Sequence, residues 1–286
     1  MSYRLSRLAP LRGTIFAGLL AACALLASAA IAQAATPATP TLPTVSVSVT
    51  SSSITVGGTL QSGGVNIVST ATGVKEIGII LVALKPGVSP AELFAYLESK
   101  HKKDINQSSK FGSIVFSTEA ESGHTSEVQT SLQPGQYAAL AQGEGPPKAH
   151  TSFTVLAAKT PASLPTPQAI EREIDFGFVG PTTLHVGELV GVENEGWVAH
   201  MNVGLQVKNL KAAKQVVKLA LAGKEKQAFK LVIGGMNLSG TVSHGAYQQL
   251  TINAKPGVYV QACFGDTQDG RAHSRLGMVR IIKIVK

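Results

Sequence analysis

The chain has 286 residues, of which 44% are hydrophobic and 15% charged, with 29 glycines, and this composition excludes a disordered chain and favours strands joined by many turns. Its net charge of +8 is not accompanied by aromatic interleaving or a recognisable binding motif, so no nucleic-acid partner is expected. No G-x-S-x-G, H-E-x-x-H or phosphate-cradling glycine loop occurs either.

Residues 1–34 read as a signal peptide. Arg4, Arg7 and Arg12 form a basic start, an apolar run extends from about Thr14 to Ile31, and Ala32-Gln33-Ala34 offers small residues for cleavage. The mature chain then starts near Ala35 and is exported: periplasmic, secreted or cell-surface. Two other readings fit the same stretch. The run is long enough to stay as a membrane anchor, and Leu20-Ala21-Ala22-Cys23 fits a lipoprotein signal with Cys23 acylated. Contact with a membrane is expected only in those two cases. If Cys23 leaves with the signal, Cys263 is a single thiol in an oxidising compartment and has no internal disulfide partner.

Residues 35–43 form a Pro/Thr/Ala spacer, and residues 159–168 a second one. Between and beyond them lie two halves, 44–158 and 169–286. Gly64 to Gly73 (GVNIVSTATG) parallels Gly187 to Gly196 (GELVGVENEG), and Pro134-Gly135-Gln136-Tyr137 parallels Pro256-Gly257-Val258-Tyr259 at almost the same offset. A shared offset at two landmarks reads as a tandem duplication.

In the first half, Val45, Val47 and Val49 alternate with serines, which predicts a half-buried strand. Ile77 to Leu84 is a further strand. Ser89-Pro90-Ala91-Glu92 is a capping box that opens a helix to about Lys102. In the second half, Val198 to Val207 is a strand, and Asn209 caps a helix that stops at Gly223. Leu250 to Ile252 and Tyr259 to Phe264 flank a Pro-Gly turn, and Met278 to Val285 closes the chain as a strand. The expected fold is all-β: two tandem Greek-key β-sandwiches, each with one inserted helix.

Four residues of the second half form a pattern. His200 ends the stretch Asn194-Glu195-Gly196-Trp197-Val198-Ala199-His200; Cys263 ends a late strand; the loop after it supplies His273; and Gly277-Met278 begins the last strand. Two imidazoles and a thiolate in one plane, with a weak axial thioether, are what a blue copper site needs. Singly, each has a blander reading: a hydrogen-bonded histidine, an inert buried thiol, a packed methionine. With these residues the chain resembles the cupredoxin family over about Ile174 to Lys286. DFGFVGP, the N-x-G-x-x-x-H stretch, the Pro-Gly-x-Tyr turn and the Cys…His…Gly-Met ending occur in the family's order. The long Cys-to-His spacing is similar to the type 1 loop of copper nitrite reductases. The resemblance implies a tandem cupredoxin-like chain with one type 1 copper held by His200, Cys263, His273 and Met278, and with His273 as the solvent-edge ring through which electrons cross.

The first half lacks this set. The position matching Cys263 is Ala141 and that matching His200 is Glu76 or Ile77. His150 parallels His273, and Val155 holds the methionine position. This half reads as a degenerate cupredoxin-like repeat without copper ligands. The spacing of His101, His124, His185 and His244 does not argue for a second, catalytic copper, and Asp175 and Glu188 show no pairing that suggests acid–base work. No enzymatic activity is expected. The use of the site stays open among one-electron transfer, a metal-free interaction or structural role, and copper handling or delivery. A redox partner protein would dock near His273 or on the basic face of Lys208, Lys211, Lys214, Lys218, Lys224, Lys226 and Lys230, unless that face is simply solvated.

Overall fold

The computed structural model describes residues 41–99, 105–143 and 149–286. The expected signal peptide with Cys23, most of the first spacer, and His101 lie outside the described residues. Thr41–Lys286 forms one compact unit. Among the described residues no helix is long and apolar enough to cross a membrane.

The first half runs β1 (Thr44–Val49), β2 (Ile54–Gly58), β3 (Gly63–Ala71), β4 (Glu76–Leu84), α1 (Pro90–Glu98), β5 (Gly112–Glu121), β6 (Thr125–Leu132), β7 (Gly135–Gln142) and β8 (Ala149–Val155). The second runs β9 (Ala169–Ile174), β10 (Gly177–Val179), β11 (Thr183–His185), β12 (Leu189–Asn194), β13 (His200–Val207), α2 (Leu210–Leu221), α3 (Glu225–Phe229), β14 (Val232–Val242), β15 (Tyr247–Thr251), β16 (Gly257–Ala262) and β17 (Val279–Val285). The chain is all-β with few, short helices. α1 carries the full capping box, Ser89 and Glu92 each bonding the other's backbone N–H, but it ends at Glu98. α2 is capped by the Asn209 side chain, which accepts from Ala212 N–H.

Each half is a two-sheet sandwich with the same pairing. β1 lies parallel to β3 and antiparallel to β2, as β9 lies parallel to β12 and antiparallel to β10. β4 sits between β5 and β7, as β13 sits between β14 and β16, and β8 and β17 pair outside β7 and β16. β11 has no counterpart in the first half and adds an edge strand to β17. The Pro-Gly-x-Tyr landmark has one role in both halves: Tyr137 Oη donates to Gln133 O at 2.8 Å and Tyr259 Oη to Lys255 O at 2.7 Å, pinning the turn that enters β7 or β16.

The halves are fused rather than strung on a linker. β6 and β15 pair edge to edge, so one eight-stranded sheet, β10-β9-β12-β15-β6-β3-β1-β2, spans both sandwiches. Gln249 Nε2 donates to Gln129 Oε1 at 2.7 Å and Thr130 Oγ1 to Tyr247 O at 2.6 Å across that seam.

The two cores differ in chemistry. In the first sandwich the inward positions of β1 are Val45, Val47 and Val49, packed with Ile67, Leu81 and Phe116. In the second, the inward positions of β9 are the fully buried Glu171 and Glu173. Glu171 pairs with Arg280 of β17, and Glu173 accepts a short hydrogen bond from Ser239 of β14. Leu184, Val192, Leu238, Tyr259 and Ile282 supply the apolar remainder.

Candidate metal centre

The loop into β13 explains the N-x-G-x-x-x-H stretch. Asn194 is buried and folds the loop from inside: its Nδ2 donates to Val198 O (2.9 Å) and Val242 O (2.8 Å), and its Oδ1 accepts from Gly196 N–H at 2.9 Å. Gly196 must be glycine, since a Cβ there would lie 2.6 Å from His200 Nε2 and 2.7 Å from Asp175 Oδ1. His200 is then the first residue of β13, with its ring fully buried.

Cys263 follows β16, and its backbone is fastened to Met278 and to the residue after His273. Its N–H donates to Met278 O at 3.2 Å and its carbonyl accepts from Ser274 N–H at 3.0 Å. The loop between Cys263 and His273 is a closed turn: Thr267 N–H bonds Arg271 O (2.9 Å) and His273 N–H bonds Gly265 O (2.8 Å). A single 3-10 turn, His273–Leu276, follows and ends at Gly277 with φ +113, after which Met278 N–H returns to His273 O at 3.0 Å. Met278 is wholly buried and immediately precedes β17.

The three donor atoms converge. His200 Nδ1 lies 3.1 Å from His273 Nδ1 and 4.0 Å from Cys263 Sγ, and Cys263 Sγ lies 3.4 Å from His273 Nδ1. A circle through these three atoms has a radius of about 2 Å, the bond length of a first-row metal ion to imidazole nitrogen or thiolate sulphur. Among the described residues this is the one group of three such side chains whose ligand atoms lie within 4.8 Å of one another.

The surroundings prepare these atoms for a cation. Asp175 Oδ1 sits 3.1 Å from His200 Nε2 and also accepts the N–H groups of Trp197 (3.0 Å) and Val198 (3.4 Å). A carboxylate there holds the imidazole proton on Nε2 and leaves Nδ1 a bare lone pair facing the other donors. Partial burial raises the Asp175 pKa, but the bonds from His200, Trp197 and Val198 outweigh it and keep the carboxyl below its ordinary value. Burial lowers the pKa of both histidines, that of His273 to about 4 with His200 adding to the effect. Burial pushes the Cys263 thiol up to about 12, against hydrogen bonds from the backbone of Met201 and Gly265. Two lone pairs and a buried sulphur therefore converge, and the donor set fits a soft, thiophilic metal ion.

One expectation is corrected here. His273 is not a solvent-edge ring: it is 1% exposed. The turn between β9 and β10 covers it, with the Phe176 ring edge-on at 5.2 Å between centroids. Phe176 holds φ +62, a costly conformation for a bulky residue, at the turn whose neighbouring residue Asp175 bonds the other imidazole. The sequence does not single out Asp175 as a partner of the histidines, yet it bonds His200. The signal in the sequence was its place in DFGFVGP; its partner lies 25 residues away and is reached only through the β9–β12 pairing.

The described residues of the first half bring no such donor set together. Strand register puts Ile77 and Ala141 where His200 and Cys263 stand. It puts Ala149, not Val155, where Met278 stands, because Ala141 pairs with Ala149 as Cys263 stands opposite Met278. His150 is therefore a strand residue rather than the counterpart of His273; its Nε2 lies 3.1 Å from Glu98 and its ring stacks on Phe94. The remaining described histidines also stand apart. His124 and His185 lie beside Glu121 and Glu188, and His244 bonds Gly196 O beneath Trp197.

No protein-family model matches the chain, and no curated protein does. Solved structures similar to it include auracyanin from the photosynthetic bacterium Roseiflexus castenholzii (16% identity, 41% of this chain and 95% of that one, TM-score 0.26). The azurin of Methylomonas sp. strain J is 14% identical over 41% of this chain and 96% of its own (TM-score 0.24). The copper nitrite reductase of Nitrosomonas europaea is 12% identical over 84% and 92% (TM-score 0.21). At these TM-scores the reading of the site rests on its own geometry.

Proposed function

We propose that this chain is an exported, tandem cupredoxin-like protein whose second sandwich holds one type 1 copper ion and serves one-electron transfer. The observation that carries the reading is the triangle of His200 Nδ1, Cys263 Sγ and His273 Nδ1, sized for a single metal ion and buried in the sandwich. Copper bound in such a set supplies a one-electron Cu(II)/Cu(I) change without an open position for a substrate. The residues do the rest. His200 and His273 present Nδ1, Cys263 presents its thiolate, and Met278, just before β17, has its backbone fastened to both Cys263 and His273. Asp175 keeps the proton of His200 on Nε2, and Phe176 keeps water from the His273 ring. The burial of all three donors supports transfer over catalysis, which needs room for a substrate. The matching strand pairing of the halves, β11 apart, supports a tandem duplication whose first copy has no copper ligands.

Stoichiometric redox titration tests the assignment. The copper-loaded chain should take up one electron from ascorbate per protein and give it back to ferricyanide, with the copper retained throughout. Loss of the metal on reduction would favour copper delivery instead, and the absence of any one-electron step would leave a sandwich with an interaction role.

Asp175→Ala should weaken copper binding about 10–100-fold, the usual cost of losing a partner that orients a metal-bound histidine. Competition with a chelator of known affinity reads this directly. An unchanged affinity would mean that His200 is held by its strand alone.

A further inference from the structure

Charge in the second half is sorted by face. Between Gly196 and Gly265 the sequence contains eight lysines, no arginine and one acid, Glu225. Seven of the lysines lie from Lys208 to Lys230, on and around α2 and α3, and all seven are exposed. α2 turns Ala213, Val216 and Ala220 inward onto β13 and β16, and points Lys211, Lys214 and Lys218 outward as one stripe. Half-exposed Leu210 and Leu221 border the stripe.

This arrangement works against the helix that bears it. Lys214 and Lys218 repel at i,i+4, and Lys211 sits in the first turn, where the helix dipole disfavours a cation. Glu225 does not relieve the stripe, since its carboxylate accepts from Ser274 Oγ at 3.2 Å. Nor does the fold demand it. The corresponding helix of the first half, α1, contains Glu92 and Glu98 and no lysine. The basic helix accompanies the half that has the metal-ligand set.

The inner side of the same helix pair props the ligand loop. The Phe229 ring of α3 lies 5.3 Å from Phe264, the residue bonded to Cys263. Glu225 bonds the residue after His273, and Gly223 lies against Arg275 of the same turn. On this face an exposed ring, Phe229, leads through one further ring, Phe264, to Cys263.

We propose that the outer face of α2 and α3 docks an acidic electron-transfer protein, an assignment of partner that rests on the copper reading above. The exchange it serves moves one electron and no atoms: the centre of one protein loses the electron that the other gains. Lysines without arginines give hydrated point charges rather than bidentate clamps, which suits a fast, short-lived and salt-sensitive encounter. A lipid surface fits less well. A helix lying in a membrane inserts a broad apolar face, and the apolar face of α2 is already spent on the sheet.

The test uses an acidic [2Fe–2S] ferredoxin as the probe partner and two triple variants with the same change in net charge. One is Lys211→Glu/Lys214→Glu/Lys218→Glu. The other is Lys75→Glu/Lys85→Glu/Lys110→Glu, at exposed positions of the first half. Circular dichroism checks that both fold. The α2 variant should bind the ferredoxin about tenfold or more weakly at low salt and lose the salt dependence of binding, while the control stays within about twofold. Equal losses in both variants would reduce the effect to overall charge and overturn the proposal, as would no loss in either. Binding to phosphatidylglycerol vesicles that depends on these three lysines, with ferredoxin binding indifferent to them, would overturn it in favour of a lipid surface. Binding is measured on the copper-free and the copper-loaded chain. Failure of the chain to take up copper would therefore count against the redox reading alone, and the copper-free titration would still decide the docking face.

Discussion

Arg280→Met will destabilise the chain by about 3–5 kcal/mol, the cost of leaving a buried charge without its partner. Arg280 is the cation of a buried network. It pairs with the fully buried Glu171, donates from Nε to Gln261 Oε1 at 2.6 Å, and reaches the backbone carbonyls of Gly180 (3.1 Å) and Pro181 (3.3 Å). Removing it strands a carboxylate between two sheets and releases the segment that leads into β11. Arg280→Met combined with Glu171→Leu should recover most of the loss, because both charges then leave together and the first sandwich builds the same strand from valines. Urea denaturation of the two variants decides this. Equal loss in the single and double variants would mean that the contacts to residues 178–181 carry the stability, and that the ion pair does not.

Glu173→Gln will change how stability depends on pH, by an amount on the order of 4 kcal/mol at pH 8. Burial raises the Glu173 pKa to about 8, against the hydrogen bond from Ser239. Between its ordinary value and about 8, the folded chain keeps this proton and the unfolded chain does not. The stabilising contribution is thus complete below about pH 4.5 and is lost as pH rises to about 8. Glutamine fills the same space, accepts the same Ser239 bond and does not ionise, so its stability curve should stay flat where that of the native chain falls. Denaturation midpoints of the metal-free proteins from pH 5 to 9 read this. Parallel curves would mean that Glu173 is ionised in the fold.

These two acids also show where sequence reading stops. Alternation on β1 gave away its buried face, because valine inside and serine outside is what a half-buried strand looks like. On β9 the same alternation places Glu171 and Glu173 inside, and a pattern that equates burial with hydrophobicity points the strand the wrong way. Local signals fared well. The capping box and Asn209 mark helix starts because each acts within one turn, although α1 ends before the expected stop. The His, Cys, His, Met pattern was visible because His200 starts a strand, Cys263 follows one and Met278 precedes one, at positions the landmarks fix. What depends on distant pairing was not visible. Asp175 meets His200 only across β9 and β12, and Phe176 covers His273 only because the β9–β10 turn folds over the Gly277 corner. The β6–β15 seam joins two edges that local patterning treats as ends of separate domains.

Whether His200, Cys263 and His273 hold one copper ion is tested most directly by the visible spectrum of the chain after addition of one equivalent of Cu(II). An intense absorption at about 600 nm, the mark of a copper–thiolate bond, should appear, saturate at one copper per chain and be abolished in Cys263→Ser. An absent band, or one that survives in Cys263→Ser, would contradict that assignment.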